Sequence, residues 1–377
     1  MSVATGSRSV FAALAPTVAP FLLLVLSGAA APPAAPPEDE LPVPGVEEGE
    51  VTSAVLTSSF RLIREKSVHR ARVDWDEAER RFHGEVARQT TAEGKLSAFR
   101  SLFERMDDVH SSVVYRGRQF GYFRPASEAE TARVAPLIER AGRQGGRVAG
   151  RMLDRGVAYL VIPTISASGP AEVNGHAAAI RTKVCELAGL GATSWILDLR
   201  LNMGGNMHPM LTGLGSLIGE GDLGGIVDAD GRLKAGWAIH GGILHVNGSP
   251  TASIDAGCRL EASPSIAVLL GPITMSSGQI VAVALAGRPA ARSFGETTAD
   301  GYATANEWHQ LTPDLALNLS VGFLSDRTGR VYRGVVEPDV PVSGADDFES
   351  PSRDPKVRVA EAWLVSQRAR AQGSTGG

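Results

Sequence analysis

The positions of apolar residues along the chain predict a helical segment followed by alternating strands and helices. From Val51 to about Met106, apolar residues recur every three or four positions, which is the spacing of one face of a helix. Three such stretches follow one another, so we expect a small bundle of three helices. Asp74 and either Thr90 or Thr91 are placed to cap the starts of the second and third helices.

Beyond this bundle, short continuous apolar runs indicate buried strands. These runs are GVAYLVIPTIS, SWILDLRL and SIAVLLG, and each is followed by a sequence with helical spacing. Strand and helix alternate from residue 157 to residue 295, which is typical of a parallel or mixed sheet with helices on its faces. The sequence therefore predicts an α/β fold. A polar stretch after the short strand in DDVHSSVVYRG shows no clear pattern, and the region 221–260 is interpreted as short strands and turns.

The first 50 residues predict export of the chain. Arg8 precedes an apolar core of about a dozen residues from Val18, followed by small residues, which is the order found in a secretory signal peptide. We expect residues 1–31 to be the signal peptide and residues 32–50 to be a linker rich in proline and acidic residues. An uncleaved membrane anchor is the alternative. No cysteine lies near the cleavage region, so a lipid anchor is not expected and the predicted location is secreted or periplasmic.

Composition and charge narrow the classes of function. The 377 residues are 43% hydrophobic and 21% charged, as in ordinary globular proteins. The formal net charge is −4 without a basic cluster, so nucleic acid is not an expected partner. His208 and His309 lack the spacing of metal ligands, and we expect neither a metal nor another cofactor. Cys185 and Cys258 could form a single disulfide, but two buried thiols are the favoured interpretation.

Three short motifs carry the candidate chemistry. DLRLNMGG places Gly204 and Gly205 after a buried strand, where backbone amides can face a cleft and bind an oxyanion. TMSSGQ places Ser276 and Ser277 after the next buried strand, at the start of a helix whose dipole favours negative charge. DDVH places His110 at the boundary between the bundle and the sheet. Taken singly, these are also the residues of tight turns, helix caps and structural histidines.

In this order, the motifs resemble those of the carboxyl-terminal processing peptidases and their tricorn-core and interphotoreceptor retinoid-binding relatives. SWILDLRLNMGG resembles that family's ILDLR-N-GG signature, and ITMSSGQIVAVALAGRPAARSFGETTADG resembles its nucleophile segment. MDDVHSS and GVVEPDV resemble two further elements. The resemblance covers about residues 52–367 and implies a ClpP/crotonase-like α/β fold, a mixed sheet flanked by helices. It also implies an N-terminal helical bundle over 51–109 and a catalytic domain over 110–370.

The resemblance assigns a role to each motif. Ser276 is the expected nucleophile, and Ser277 with Gly204 or Gly205 supplies the amides of the oxyanion hole. Processing peptidases use a lysine base from an F-G-K-G segment, but this chain has FGETTADG there, without lysine. The tricorn-like branch uses a histidine after the N-terminal helices, and His110 occupies that position. A near-neutral pKa suits histidine to this exchange of protons.

Two positions depart from the family pattern. Gln279, counted with the catalytic residues, stands where the family has a glutamate; the exchange keeps hydrogen bonding and removes a charge. Val109 stands where the tricorn-like branch has a serine that helps to orient the histidine. The acids at 107–108 or the serines at 111–112 could orient His110 instead.

The sequence thus predicts a secreted or periplasmic serine endopeptidase that forms an acyl-enzyme on Ser276 with His110 as general base. Its partner is a peptide or protein substrate, and a homo-oligomer is compatible with the sequence. The stretch between His110 and the predicted strand at Gly156 is too short for the PDZ domain of processing peptidases, so selection of free C-terminal tails is not expected. The alternative is a non-catalytic protein that binds an apolar ligand or peptide on the same scaffold.

Overall fold

The structure is a computed structural model that describes residues 51–374, with the exceptions of 256, 259 and 261–263. The expected signal peptide (1–31) and linker (32–50) lie outside the described residues. None of the helices in the described part of the chain combines the length and the apolar character that a membrane span requires.

The described residues form nine α-helices and fifteen β-strands. The helices are α1 (Ser53–Lys66), α2 (Trp75–Ala87), α3 (Ala92–Met106), α4 (Glu128–Gln144), α5 (Gly169–Gly189), α6 (Met207–Gly213), α7 (Gly215–Ile218), α8 (Ser277–Leu285) and α9 (Pro355–Ser374). The strands are β1 (Ser112–Tyr115), β2 (Arg118–Gly121), β3 (Ala149–Met152), β4 (Val157–Val161), β5 (Ser194–Asp198), β6 (Gly221–Val227), β7 (Leu233–His240), β8 (Ile243–Val246), β9 (Ser249–Pro250), β10 (Ser265–Leu270), β11 (Ala291–Gly295), β12 (Thr304–Thr312), β13 (Leu315–Asp326), β14 (Val331–Tyr332) and β15 (Val340–Pro341).

The three predicted N-terminal helices are confirmed as α1, α2 and α3. Asp74 caps α2 by accepting hydrogen bonds from two backbone amides, and the Thr91 side chain caps α3 by accepting one from the Gly94 N–H. The apolar faces of these helices, with Phe60, Phe99 and Phe103 fully or almost fully buried, share one core with β1, β2 and β13. The bundle is therefore stabilised by packing against a sheet, because short helices are marginally stable alone.

Two sheets frame the rest of the chain. The first runs in the order β2-β1-β13-β6-β7-β8-β9, with β12 and β14 also paired to β13, and its pairings are antiparallel. The second runs in the order β15-β11-β10-β5-β4-β3 and is parallel except for β3. Helices α5, α6 and α8 share a hydrophobic core with both sheets, and α9 covers the other face of the second sheet. The predicted α/β fold class, with mixed sheet flanked by helices, is confirmed.

Three elements differ from the sequence-based expectation. The polar stretch without a clear pattern contains α4, which begins with a capping box between Ser127 and Glu130. The sequence SEAE carries that signal, and Val134, Leu137, Ile138 and Ala141 recur at helical spacing. Both signals were missed, because Pro136 in this stretch is unusual inside a helix. The sequence with helical spacing after SWILDLRL, residues 207–220, forms two helices, α6 and α7, rather than one. The nine-residue strand β12 was not predicted, because it alternates poorly between apolar and polar residues.

The cysteines are paired, so the favoured interpretation of two buried thiols is wrong. Cys185 on α5 and Cys258 in the loop after β9 form a disulfide, with 5.4 Å between their Cα atoms. A separation of 73 residues in sequence gives no information about their distance in space. Their pairing follows from the way this loop folds back over α5, which the composition of the loop does not reveal.

Replacing both cysteines by serine should lower the free energy of unfolding by about 2–4 kcal/mol, because the disulfide restricts a long loop in the unfolded chain. Guanidinium unfolding of the oxidised protein and of the Cys185→Ser/Cys258→Ser variant measures this difference. Reduced wild-type protein should behave like the variant. Equal midpoints for oxidised and reduced wild type would show that the bond does not stabilise the fold.

Candidate active site

Ser276 lies in the tight connection between β10 and α8. Its backbone has φ of 52° and ψ of −121°, a region that residues other than glycine rarely occupy. The side chain is partly exposed, whereas Met275 and Ser277 on either side are buried. Such backbone strain persists only where neighbouring contacts hold it, and it occurs often at functional sites.

Gln279 supplies the contact that holds this backbone. Its side chain is fully buried, and its Oε1 accepts a hydrogen bond from the Ser276 N–H at 3.2 Å. Its Nε2 donates to Thr298 Oγ1 at 2.6 Å and to the Ala299 carbonyl at 2.8 Å. A glutamate here would lose both donors and direct a carboxylate at a carbonyl oxygen. Glutamine therefore fits this environment, and its side chain contacts the backbone of the serine.

His110 and Ser276 lie side by side although 166 residues separate them. The imidazole Nε2 is 3.1 Å from Ser276 Oγ, and Nδ1 is 2.7 Å from Thr304 Oγ1. The ring is buried and packs edge-on against Tyr302, with 5.1 Å between ring centroids. Both ring nitrogens thus face hydroxyl groups, and one of these belongs to the predicted nucleophile.

Burial controls the protonation of this imidazole. Desolvation lowers the pKa of His110 to about 4, although the charge of Asp108 raises it; nearby His69 lowers it further. At neutral pH the ring is therefore uncharged. A neutral ring has one nitrogen free to accept a proton, as a general base requires.

The residue that contacts the far side of the ring was missed by the sequence analysis. None of the candidates at 107–108 and 111–112 forms a hydrogen bond with the imidazole, in the region that the structure describes. Thr304 does so, from the unpredicted strand β12. Asp108 accepts a hydrogen bond from the His110 backbone N–H at 3.1 Å and so supports the main chain instead.

The two glycines after β5 are not equivalent. Gly204 and Gly205 have φ of 103° and 102°, values that favour glycine. The Gly204 N–H already donates to Asn202 Oδ1 at 2.8 Å. The amides of Gly205 and Ser277 donate no hydrogen bond to any residue that the structure describes. Gly205 and Ser277 are therefore the pair with N–H groups available to an incoming oxygen.

Asn202 ties together the two loops that meet at the site. Its side-chain Nδ2 donates to the backbone carbonyls of Ile162 and Pro163 at 3.2 and 3.0 Å. The backbone carbonyl of Asn202 accepts from the Met275 N–H at 3.1 Å. The Ser277 hydroxyl makes a second link, donating to the Gly205 carbonyl at 2.6 Å. Asn202 belongs to the ILDLR-N-GG signature, so the motif contained this signal although no role was assigned to it.

A cleft of about 320 Å³ opens beside Ser276. Its lining contains His110, Ser276, Ser277, Gly205 and Thr304, and otherwise consists of eight apolar side chains, His208 and the asparagines Asn206, Asn306 and Asn318. The apolar members of the wall include Met203, Met207, Ile226, Trp237, Val246 and Ile280. No aspartate, glutamate, lysine or arginine lines it among the described residues. Burial lowers the pKa of His208, so this residue also adds no positive charge at neutral pH.

Comparison with known families decides which kind of protein carries this site. Residues 156–342 match the family model described as Peptidase family S41. The chain belongs to this family. The matched segment includes Ser276, both glycines and Thr304, whereas His110 lies before it.

Individual relatives of this S41 chain are similar over different lengths. The nisin-resistance protein of Lactococcus lactis subsp. lactis is 33% identical over 151 residues, which are 40% of this chain and 46% of that protein; the match thus spans less than half of the curated relative. A lipoprotein from Streptococcus agalactiae has a similar fold, with a TM-score of 0.65 and 21% identity over 87% of this chain and 100% of the other. A putative peptidase from Parabacteroides merdae gives a TM-score of 0.54 and 16% identity over 84% and 97% of the two chains.

A buried ionic cluster fixes the end of β5, from which the glycine loop of this S41 chain departs. Arg200 is almost fully buried and lies 2.6 Å from each of three carboxylates, those of Asp198, Asp346 and Asp354. Lys356, also buried, bridges to Asp346 at 2.7 Å. The cluster therefore connects the DLR motif to the segment that precedes α9. Both buried cations are thus paired with carboxylates, as burial demands.

The described residues contain no group of three or more histidine, cysteine, aspartate or glutamate side chains arranged to hold a metal ion. What the site offers chemically is a hydroxyl, an uncharged imidazole and two available amides around one opening.

Proposed function

We propose that the chain is a serine endopeptidase that acts outside the cytoplasm, with Ser276 as nucleophile and His110 as general base. The contact of 3.1 Å between His110 Nε2 and Ser276 Oγ carries this proposal. Membership of Peptidase family S41 supports a peptide or protein substrate. The available amides of Gly205 and Ser277 complete the set of groups that acyl transfer requires.

The proposed reaction follows from the positions of these groups. As Ser276 Oγ attacks the substrate carbonyl carbon, His110 Nε2 takes the hydroxyl proton, and the carbonyl oxygen becomes an anion facing the two amides. The tetrahedral intermediate collapses when the imidazolium gives that proton to the leaving amine. A water molecule, deprotonated by the same nitrogen, then attacks the acyl carbon. When this second intermediate collapses, the bond to Ser276 Oγ breaks, the imidazolium returns the proton to that oxygen, and the acid product leaves.

The cleft indicates the class of substrate. An opening free of formal charges, with eight apolar side chains in its wall, favours an apolar side chain next to the scissile bond, because a charged one would lose its hydration without gaining an oppositely charged partner. We therefore propose that peptides with an apolar residue at this position are preferred over otherwise identical peptides with aspartate or lysine there.

A peptide panel tests the proposed function. The purified chain is incubated with peptides that vary at one position and with nisin, since the curated relative is named for resistance to it, and products are identified by mass spectrometry. We expect internal cleavage beside apolar residues, lost in Ser276→Ala. Peptide that binds but remains intact in wild type would favour the alternative of a non-catalytic binding protein.

The proposed location rests on two features. A disulfide between Cys185 and Cys258 is typical of proteins that fold in an oxidising compartment. The N-terminal sequence has the order of a secretory signal. Fractionation of cells that express the full chain, with thiol alkylation before lysis, tests this proposal. Recovery in the cytoplasm with both thiols free would contradict it.

The protonation of His110 predicts the pH dependence of hydrolysis. Because only the neutral ring can accept the serine proton, kcat/KM should fall by about tenfold per pH unit below the pKa near 4 and stay level between pH 5 and 7. Initial rates from pH 3.5 to 8 measure this profile, with circular dichroism at each pH to exclude unfolding. An acid limb centred near 6.5, the value for an exposed histidine, would show that burial does not control the base.

A further inference from the structure

The side of His110 that faces away from Ser276 meets a hydroxyl group. In the serine–histidine–aspartate arrangement of many hydrolases, a carboxylate accepts the Nδ1 proton directly. Here the acceptor in that place is Thr304 Oγ1, at 2.7 Å. Hydrogen bonds connect the ring to the carboxylate of Asp108 through two side chains, those of Thr304 and Ser320.

We propose that Thr304 is a positioning residue for His110, and that Thr304 and Ser320 connect the imidazole to the buried carboxylate of Asp108. This inference rests on the proposed function, because it concerns the base of the same reaction. Thr304 contacts neither the nucleophile nor the scissile bond in this scheme; it acts through His110.

The surrounding hydrogen bonds set the direction of this chain of hydroxyls. Asn306 Nδ2 donates to the His110 carbonyl at 3.0 Å, which leaves its Oδ1 as an acceptor. Thr304 can direct its own proton to that oxygen at 3.3 Å or to Ser320 Oγ at 3.4 Å. Because the Thr304 proton has acceptors elsewhere, its oxygen lone pairs are available to the Nδ1–H of the ring.

Asp108 ends the chain as an acceptor. It is fully buried and accepts from Ser320 Oγ at 3.2 Å, from the Ser111 N–H at 2.9 Å and from Ser111 Oγ at 2.6 Å. No lysine or arginine forms a salt bridge with it among the described residues. Its negative charge is held by hydrogen bonds alone, so its field acts on the ring and favours the imidazolium formed during attack.

The consequence for catalysis is a fixed tautomer. With Nδ1–H donating to Thr304, Nε2 has a free lone pair directed at the Ser276 hydroxyl. Without an acceptor at Nδ1, the other tautomer, with the proton on Nε2, becomes populated and cannot act as base. The loss should therefore appear in kcat much more than in KM, since the Thr304 hydroxyl is engaged with the ring and acts on the proton transfer rather than on substrate binding.

Three variants test the inference by kinetics. Thr304→Val keeps the shape and removes the hydroxyl, whereas Thr304→Ser keeps the hydroxyl. Thr312→Val is the matched control, because Thr312 is buried on the same strand and its hydroxyl has no partner among the described residues. We expect Thr304→Val to lower kcat by about 10–100-fold with KM within threefold, and Thr304→Ser and Thr312→Val to stay within about threefold of wild type.

A second measurement does not depend on activity. Nitrogen-15 NMR of histidine-labelled protein, with His110 assigned by comparison with His110→Gln, reports which ring nitrogen carries the proton. We expect Nδ1–H in wild type and in Thr304→Ser, and a mixture or the Nε2–H form in Thr304→Val. Nδ1–H retained in Thr304→Val, or Thr304→Ser as impaired as Thr304→Val, would overturn the inference.

The Ser276→Ala variant separates the two proposals. If Ser276→Ala is inactive while Thr304→Val keeps full activity, the positioning role fails and the proposed peptidase stands. If wild type hydrolyses nothing but the NMR tautomer responds to Thr304→Val, the proposed function fails and the structural link between Thr304 and His110 stands.

Discussion

Substituting either member of the proposed dyad should abolish nearly all hydrolysis, and substituting both should do no further damage. We expect Ser276→Ala and His110→Ala each to lower kcat by at least about 10⁴-fold, and the double variant to match the singles, because residues that act as a unit are not additive. Single-turnover and steady-state kinetics on one cleaved peptide measure these effects. Any remaining rate comes from substrate binding and the amides that face the oxyanion.

Two substitutions of the same types serve as controls. Ser216→Ala removes a hydroxyl that has no partner among the described residues, and His83→Ala removes a histidine that is partly exposed on α2. Both should keep wild-type kcat. Additive losses in the double variant, or a His110→Ala variant with more than about a tenth of wild-type kcat, would contradict a shared proton transfer between the two side chains.

The second large effect is expected at Gly204. A Cβ atom there would lie 2.7 Å from Ser276 Cβ and 3.1 Å from its Oγ, and the φ of 103° is strained for alanine. Gly204→Ala should therefore displace the nucleophile and lower kcat/KM by about 100-fold or more, since displacement by 1 Å costs about that much in rate. Kinetics with thermal melting measure the rate and the stability together.

Gly175→Ala is the matched control, because a Cβ at Gly175 on α5 meets no atom within 4 Å. It should retain activity and gain slightly in stability, as alanine favours a helix over glycine. Full activity in Gly204→Ala would show that the loop after β5 can move away from the loop that carries Ser276 without loss of catalysis. Equal loss of activity and of cooperative melting would instead assign the effect to unfolding.

The sequence allowed the prediction of those parts of the site that lie on strongly patterned elements. Strands β5 and β10 are continuous apolar runs, and Gly205 and Ser276 lie in the loops that follow them, so their common edge could be inferred from the topology of a parallel sheet. His110 could be placed because it follows three helices with regular apolar spacing. In these cases local pattern and tertiary position agree.

The remaining parts depend on contacts that no local pattern encodes. Thr304 lies 194 residues from His110 on a strand with weak alternation, so neither its element nor its partner could be predicted. The Gly205 amide, and not that of Gly204, is available to an oxyanion because one side-chain oxygen of Asn202 already accepts from the Gly204 N–H. The disulfide of Cys185 depends on the path of a long loop.

The most direct test of the central claim is the reaction of the purified protein with a fluorophosphonate, followed by intact and peptide mass spectrometry. We predict a single adduct on Ser276 in wild type, at least about 100-fold slower labelling in His110→Ala, and no adduct in Ser276→Ala. An adduct-free wild type that remains folded, or labelling of Ser276 at the same rate without His110, would contradict a nucleophilic serine activated by this histidine.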